Sequence, residues 1–382
     1  MFSFVFVFLL SFSLIMPIQE IMQIENGILA DYEDVETVNE SHRFGSFIST
    51  NMEENEKIVG GEKTKQTEIV FKLFGFIPIK RVSVVLAGDE KYYVGGTPIG
   101  LALCSDGAIV VGDEGNSSLK EGDIITKING MEVTDLDNIQ SLLEYGQPEE
   151  AEVEFLRKNK TLKTLVKTTR DESGNLKLGL WVKDDVTGVG TLTFVNTKTL
   201  DFGALGHPIV EANSGNIVPV SSGKIYGCNL IGINKGKKNN PGELKCVFVS
   251  STKGKGEISS NSKFGIKGVL SDTTGLVDKN LTAKLGGRLG VKMGDAKIVS
   301  SISGITEEYD IEIIKANHQK SANDKSIVFR VKDPRLLELS GGIVQGMSGS
   351  PIMQDGKIIG AVTHVFLNDP TKGYGVYVDW ML

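Results

Sequence analysis

From about residue 176 to the carboxy terminus the chain repeats one pattern: strand-length runs such as GVGTLTFV, FGIKGVL, YDIEIIK and SIVFRVK, separated by glycine-rich turns. Short β-branched runs at this spacing bury their apolar sides only by pairing with one another, so they predict a sandwich or a barrel. Composition agrees. Of 382 residues 40% are hydrophobic and 23% charged, and 45 glycines stand against 10 prolines, the balance of a turn-rich globular chain of about two or three domains. Forty-one basic against 48 acidic residues give a net charge of −7, which argues against a broad nucleic-acid footprint. The three cysteines, Cys104, Cys228 and Cys246, are odd in number and form no Cys-x-x-Cys pair. Neither a disulfide framework nor a structural zinc site is expected, nor any cofactor.

Residues 1–19 carry no charged side chain, and the run FSFVFVFLLSFSLIMPI nearly spans a bilayer core at about 1.5 Å per helical residue. A signal anchor in a membrane is the expected reading, beside a cleaved signal peptide and a buried helix. No basic residue precedes the run to orient it, and no small-x-small cleavage site follows. Residues 20–67, with DYEDVETVNES and NMEENEK, show no sustained apolar period and predict an exposed acidic linker open to proteases.

Residues 68–170 begin with strand-like EIVFKLFGFIPIK and RVSVVLA and continue through PIGLAL, GAIVVG and LKEGDIITKINGMEV. Leu136, Ile139, Leu142 and Leu143 then share one helical face, and a hairpin turning at Asn159-Lys160 closes the segment. The stretch Gly122–Gly130 in particular resembles a PDZ domain. That resemblance implies a peptide added as an extra strand, with its carboxylate held by the loop that includes Gly100, Leu101, Ala102 and Leu103.

The segment Gly341-Gly342-Ile343-Val344-Gln345-Gly346-Met347-Ser348-Gly349-Ser350-Pro351 carries the chemistry. Glycines on both sides of a serine allow a tight turn that exposes Oγ and directs the N–H groups of Gly346 and Ser348 at a developing oxyanion. A serine nucleophile needs a base that is neutral near pH 7, and the chain has four histidines: His42, His207, His318 and His364. His207 is the expected base, because Phe202-Gly203-Ala204-Leu205-Gly206-His207-Pro208 specifies a fixed turn. His364 follows the nucleophile hairpin and is expected to line the pocket. Asp333, 15 residues before Ser348 and followed by proline, is the expected orienting acid, with Asp201 as an alternative and no carboxylate at all as a third.

The loop around Ser348 resembles that of chymotrypsin-like serine peptidases, which implies a double β-barrel over residues 171–382. The LGHPI loop, the PDZ-like segment and GGIVQGMSGSPIMQDGKIIGAVTHVFLNDPTKGYG together resemble the stage IV sporulation protein B family. The resemblance covers about residues 70–382. It implies Ser348, His207 and Asp333 as nucleophile, base and acid, export to the forespore intermembrane space, and self-cleavage in the amino-terminal region that releases the enzyme. It also implies a partner, the membrane-bound regulatory subunit of an intramembrane metalloprotease complex, whose cleavage lets the late mother-cell sigma factor be processed. A catalytically idle PDZ adaptor outside the cytoplasm is the alternative.

Overall fold

A computed structural model describes residues 15–382, except 41, 43, 60, 61, 87, 89, 114, 116, 117, 146–148, 250–253 and 317–321 and the side chains of 56–65. Most of the expected anchor, residues 1–14, therefore lies outside the described residues, as does His318. Residues 15–22 are helical. No helix among the described residues is long and apolar enough to cross a membrane.

Two rings of six strands dominate. The first contains β1 (Pro98–Asp113), β2 (Leu180–Asn196), β3 (Asp201–Ala204), β4 (Val220–Asn234), β5 (Gly256–Ser262) and β6 (Gly265–Leu270). Antiparallel pairings run β1–β2–β3–β6–β5–β4 and return to β1. The second contains β7 (Gly294–Ser300), β8 (Glu307–Ala316), β9 (Ile327–Val331), β10 (Pro351–Gln354), β11 (Lys357–Val365) and β12 (Lys372–Tyr377). Here the pairings run β7–β8–β9–β12–β11–β10 and return to β7. Closure removes the free strand edges that an open sheet would expose.

The period-2 pattern explains which faces turn inward. Along β8, Tyr309, Ile311 and Ile313 are buried, while Glu308 and Asp310, on either side of Tyr309, face water. They join Ile298, Phe329, Ile352 and Val362 in the core of the second ring. Leu101, Leu103, Leu192, Phe202, Ile225 and Ile258 fill the first. Between the rings, Thr282–Leu285 pairs antiparallel with Tyr92–Val94 and parallel with the start of β11.

The order of domains differs from the expected tandem. Strands β1 and β2 keep pairing beyond the first barrel, residues 109–113 against 180–183, and between them carry an inserted unit. That unit contains Ile124–Ile128, Glu150–Arg157, Lys160–Lys167 and the helix Ile139–Glu144 around Val110, Ile125, Leu143, Val153 and Phe155. Asn129 and Gly130 both adopt positive φ, as a type I′ turn requires. Gly107, at φ +127°, lies where β1 leaves the barrel; a Cβ there would sit 2.5 Å from the Ile125 carbonyl. The first barrel therefore begins well before residue 171.

This arrangement also corrects the expected carboxylate loop. Gly100, Leu101, Ala102 and Leu103 lie within β1, paired with Val186–Val189 on one side and Gly223–Tyr226 on the other. Their backbone groups are committed to two ladders, and Leu101 and Leu103 are core residues, so the segment is closed to a peptide.

Residues 20–67 are not a linker. Ile48–Val59, Glu62–Leu73, Ile77–Leu86 and Ile28–Ala30 form a four-stranded sheet, covered by residues 15–22 and the helix Tyr32–Glu40. Ile21, Ile28, Val35, Val38, Phe44, Ile69, Phe71 and Val82 make its core. The Asp34 N–H donates to Asp31 Oδ1 (2.8 Å) and the Asp31 N–H to Asp34 Oδ2 (3.0 Å), a reciprocal cap on that helix.

The amino-terminal unit docks on the second barrel through charged groups, from the exposed Glu33 to the buried Asp34 and Asp379. Lys357 Nζ pairs with Asp31 and Glu33, each at 2.8 Å. Asp379 accepts from the Leu29 and Arg288 N–H groups at 3.3 and 3.1 Å. Burial pushes the Asp34 carboxyl up to about 6 and that of Asp379 up to about 7, against the pull of Lys357 and Arg288 respectively. Each binds its proton more tightly folded than unfolded, where the value is about 3.9. Their contribution is therefore largest toward the unfolded value and is lost as pH rises through 6 to 7. The buried histidines His207 and His364, pushed down by burial, work the other way over the same range, so the expected result is a difference: Asp379→Asn gains stability to denaturant relative to the wild type as pH rises from 6 to 8. Equal pH sensitivity of the two proteins would contradict this.

Candidate active site

Ser348 lies in the turn between α1 (Pro334–Ser340) and β10, and the first barrel holds that turn in place. Thr191 N–H donates to the Ser348 carbonyl (2.9 Å), Thr191 Oγ1 to that of Gly346 (2.7 Å) and Thr193 Oγ1 to that of Gly349 (2.7 Å). From its own barrel the turn is tied by Gly349 N–H to the Val362 carbonyl (2.7 Å). Gly349 has φ +97°, and a Cβ there would sit 2.1 Å from the Thr191 carbonyl oxygen, so only glycine lets the two barrels close on the turn.

The N–H groups of Gln345, Met347, Gly349 and Ser350 donate to Gly242, Val344, Val362 and Met347. Those of Gly346 and Ser348 have no acceptor among the described residues, which leaves the pair expected to meet an oxyanion available. Ser348 Oγ donates to the Thr363 carbonyl at 3.0 Å, so the resting hydroxyl is directed at a main-chain oxygen.

His207 follows Leu205 and Gly206, both at positive φ, in the connection after β3. Its Nδ1 lies 2.9 Å from the Pro208 carbonyl. A carbonyl only accepts, so Nδ1 carries the proton and Nε2 keeps the lone pair that a base needs. Burial pushes the imidazole below its ordinary value, opposed by the Pro208 hydrogen bond and the charge of Asp324. His207 is therefore neutral, and able to accept a proton, at neutral pH.

His207, His364 and Ser348 line one cavity of about 540 Å³, together with Val344, Leu367 and Tyr374. The His207 and His364 rings are 5.3 Å apart. His364 is also pushed down by burial, further by the nearby positive charge of His207 when protonated, while Asp324 opposes. The lining is largely apolar, with a few polar groups converging on it.

Asp333 is not brought to either histidine. It caps α1, with Oδ1 accepting from Arg335 N–H (2.8 Å) and Nε (3.2 Å), and Oδ2 from Arg335 Nη2 (2.9 Å) and Asp310 N–H (3.3 Å). Neither histidine is among the partners of the two Asp333 oxygens in the described residues, so the expected acid role has no contact behind it here. The Arg335 guanidinium holds the carboxyl below the usual carboxylate range. Asp201 is exposed and bonds Thr199, and His42 lies in an exposed turn of the amino-terminal unit. Among the described residues Asp324 is the acid that pairs with one of these histidines, with Oδ2 3.7 Å from His364 Nδ1, and no local sequence pattern marks it. The Thr191 and Thr193 clamp was likewise unmarked. Among the described residues no cluster of potential ligands fits a metal ion.

A serine with two unengaged N–H groups at its turn, sharing one cavity with a histidine of fixed tautomer, has the parts of a serine peptidase. The profile of the SpoIVB peptidase S55 family matches residues 174–382, and the chain belongs to that family. It is thus a sporulation serine peptidase, a hydrolase of peptide bonds, and the idle-adaptor alternative falls. Among solved structures, the PDZ domain of an SdrC-like protein from Listeria monocytogenes is 20% identical, over 21% of this chain and 90% of that domain, with a TM-score of 0.19. No curated protein matches the chain.

Proposed function

We propose that this peptidase is exported to the forespore intermembrane space, held there by its apolar amino terminus, and cuts first its own amino-terminal region. It then cuts the membrane-bound regulatory subunit of an intramembrane metalloprotease, which permits processing of the late mother-cell sigma factor. The observation that carries the catalytic part is the shared cavity of Ser348 and His207. The family and the uncharged run at residues 1–19 support the rest.

In the reaction Ser348 Oγ turns from the Thr363 carbonyl to the substrate carbonyl and gives its proton to His207 Nε2. The oxyanion of the tetrahedral intermediate takes the N–H groups of Gly346 and Ser348. His207 then protonates the departing amine, and water, deprotonated by the same nitrogen, hydrolyses the acyl-enzyme. The chymotrypsin-like double barrel supplies the two halves of this site from different rings.

The inserted unit reads as a PDZ domain whose groove lies elsewhere than expected. Leu180–Lys183 pairs with residues 109–113 along one edge. Leu180 and Val182 pack on the same core as Leu136 and Ile139, beside the helix Ile139–Glu144. A peptide added along the other edge of Leu180–Lys183 would meet that helix.

Full-length protein incubated with and without a serine-directed fluorophosphonate tests self-cleavage. New amino termini between about residues 20 and 70 are expected by mass spectrometry in the untreated sample alone. Identical termini in both samples would refute it.

A further inference from the structure

With Asp333 committed to α1, no carboxylate among the described residues is bonded to the base. Its Nδ1–H rests on the Pro208 carbonyl, which fixes the ring but offers only a dipole to the imidazolium that forms when Ser348 gives up its proton. A full negative charge is nevertheless near. Asp324 Oδ2 lies 3.7 Å from His364 Nδ1, a buried nitrogen with no hydrogen-bond partner among the described residues, and the His364 ring is 5.3 Å from that of His207. The position of Asp324 is tied to the nucleophile through β11: Thr363 Oγ1 donates to the Asp324 carbonyl at 2.6 Å, and the Thr363 carbonyl accepts from Ser348 Oγ.

We propose that Asp324 is a positioning residue of the peptidase: acting through His364, it supplies the charge that stabilises protonated His207. This rests on the reading of Ser348 and His207 as nucleophile and base. His364 stays neutral in this role, pushed down by burial, with its Nδ1 on the side of the Asp324 carboxylate. Other polar groups facing the pair are Lys325 beside Asp324, Tyr374 opposite His364 on β12, and Ser348. Lys325 works against the acid: its charge disfavours protonated His364, and its ammonium lies 5.5 Å from the Tyr374 ring. The Asp324 side chain is 31% exposed, so asparagine is accommodated without an orphaned buried charge.

The test is the rate of Ser348 labelling by a fluorophosphonate as a function of pH, using the full chain. Asp324→Asn is expected to slow labelling about 10- to 100-fold and to move the acidic limb to lower pH, because the imidazolium loses its counter-charge. Asp324→Glu is expected to restore both. An Asp324→Asn protein with the wild-type limb would overturn the inference, whether its rate is unchanged or merely reduced. So would a loss that Asp324→Glu fails to restore in a protein with a wild-type melting curve. Labelling abolished by Ser348→Ala but untouched by Asp324→Asn sinks this inference alone, whereas labelling that survives Ser348→Ala sinks the site reading with it.

Discussion

Ser348→Ala is expected to abolish fluorophosphonate labelling and to lower peptide-bond cleavage by about 10⁴- to 10⁶-fold, with no loss of stability. The side chain removed makes one hydrogen bond, to the Thr363 carbonyl, whereas the turn around it is held by main-chain bonds and by Thr191 and Thr193. The nucleophile is therefore separable from the scaffold. His207→Ala should cost a comparable factor, and the double variant little more than either single one, because nucleophile and base act as a unit. Wild-type rate should rise with pH through the titration of His207, whose value burial pushes below the ordinary imidazole range. Activity consequently persists at mildly acidic pH. Kinetics of the three variants, read beside thermal melts, check this; additive losses would show that the two residues do not share one proton transfer.

The strands, the glycine-flanked nucleophile and the His207 turn were legible because each is a local pattern. β8 alternates apolar and charged residues, and Ser348 sits between glycines whose φ no other residue adopts easily. The inserted unit was misplaced for a physical reason. β1 and β2 each serve the barrel at one end and the insert at the other, and no change of pattern marks where a continuous strand passes from one core to the next. The amino-terminal sheet was missed because its outer strand, Ile48–Val59, gathers Glu53, Glu54, Glu56 and Lys57 in its second half and shows no sustained apolar alternation; Glu53 pairs with Lys72 and Arg81 of the next two strands. Its helix did carry a signal, the Asp31-x-x-Asp34 cap before Val35 and Val38. Asp324 could not be read at all, since its relation to the histidines exists only after β9, β11 and the His207 turn have come together.

Asp333→Ala is expected to destabilise the protein by about 2–4 kcal/mol, the sum of a lost helix cap and lost charge-assisted hydrogen bonds. Asp333 was itself readable as a cap: aspartate, then proline at the first helical position, then Leu336 and Leu337. The half-exposed Arg335 can return to water, which keeps the cost below that of a fully buried ion pair. Asparagine caps nearly as well as aspartate, so Asp333→Asn should lose only about 1 kcal/mol. The wild-type contribution is present above the unfolded carboxyl value and is lost as pH falls through the folded one, which Arg335 depresses. Because α1 runs through Gly341 into the nucleophile turn, fraying its start loosens the site as well as the barrel. Labelling of Ser348 in Asp333→Ala should therefore follow the folded fraction through a denaturant titration, and Asp333→Asn should label at a rate near that of the wild type. A folded Asp333→Asn protein that fails to label would return the acid role to Asp333, through a rearrangement that frees its carboxylate from Arg335.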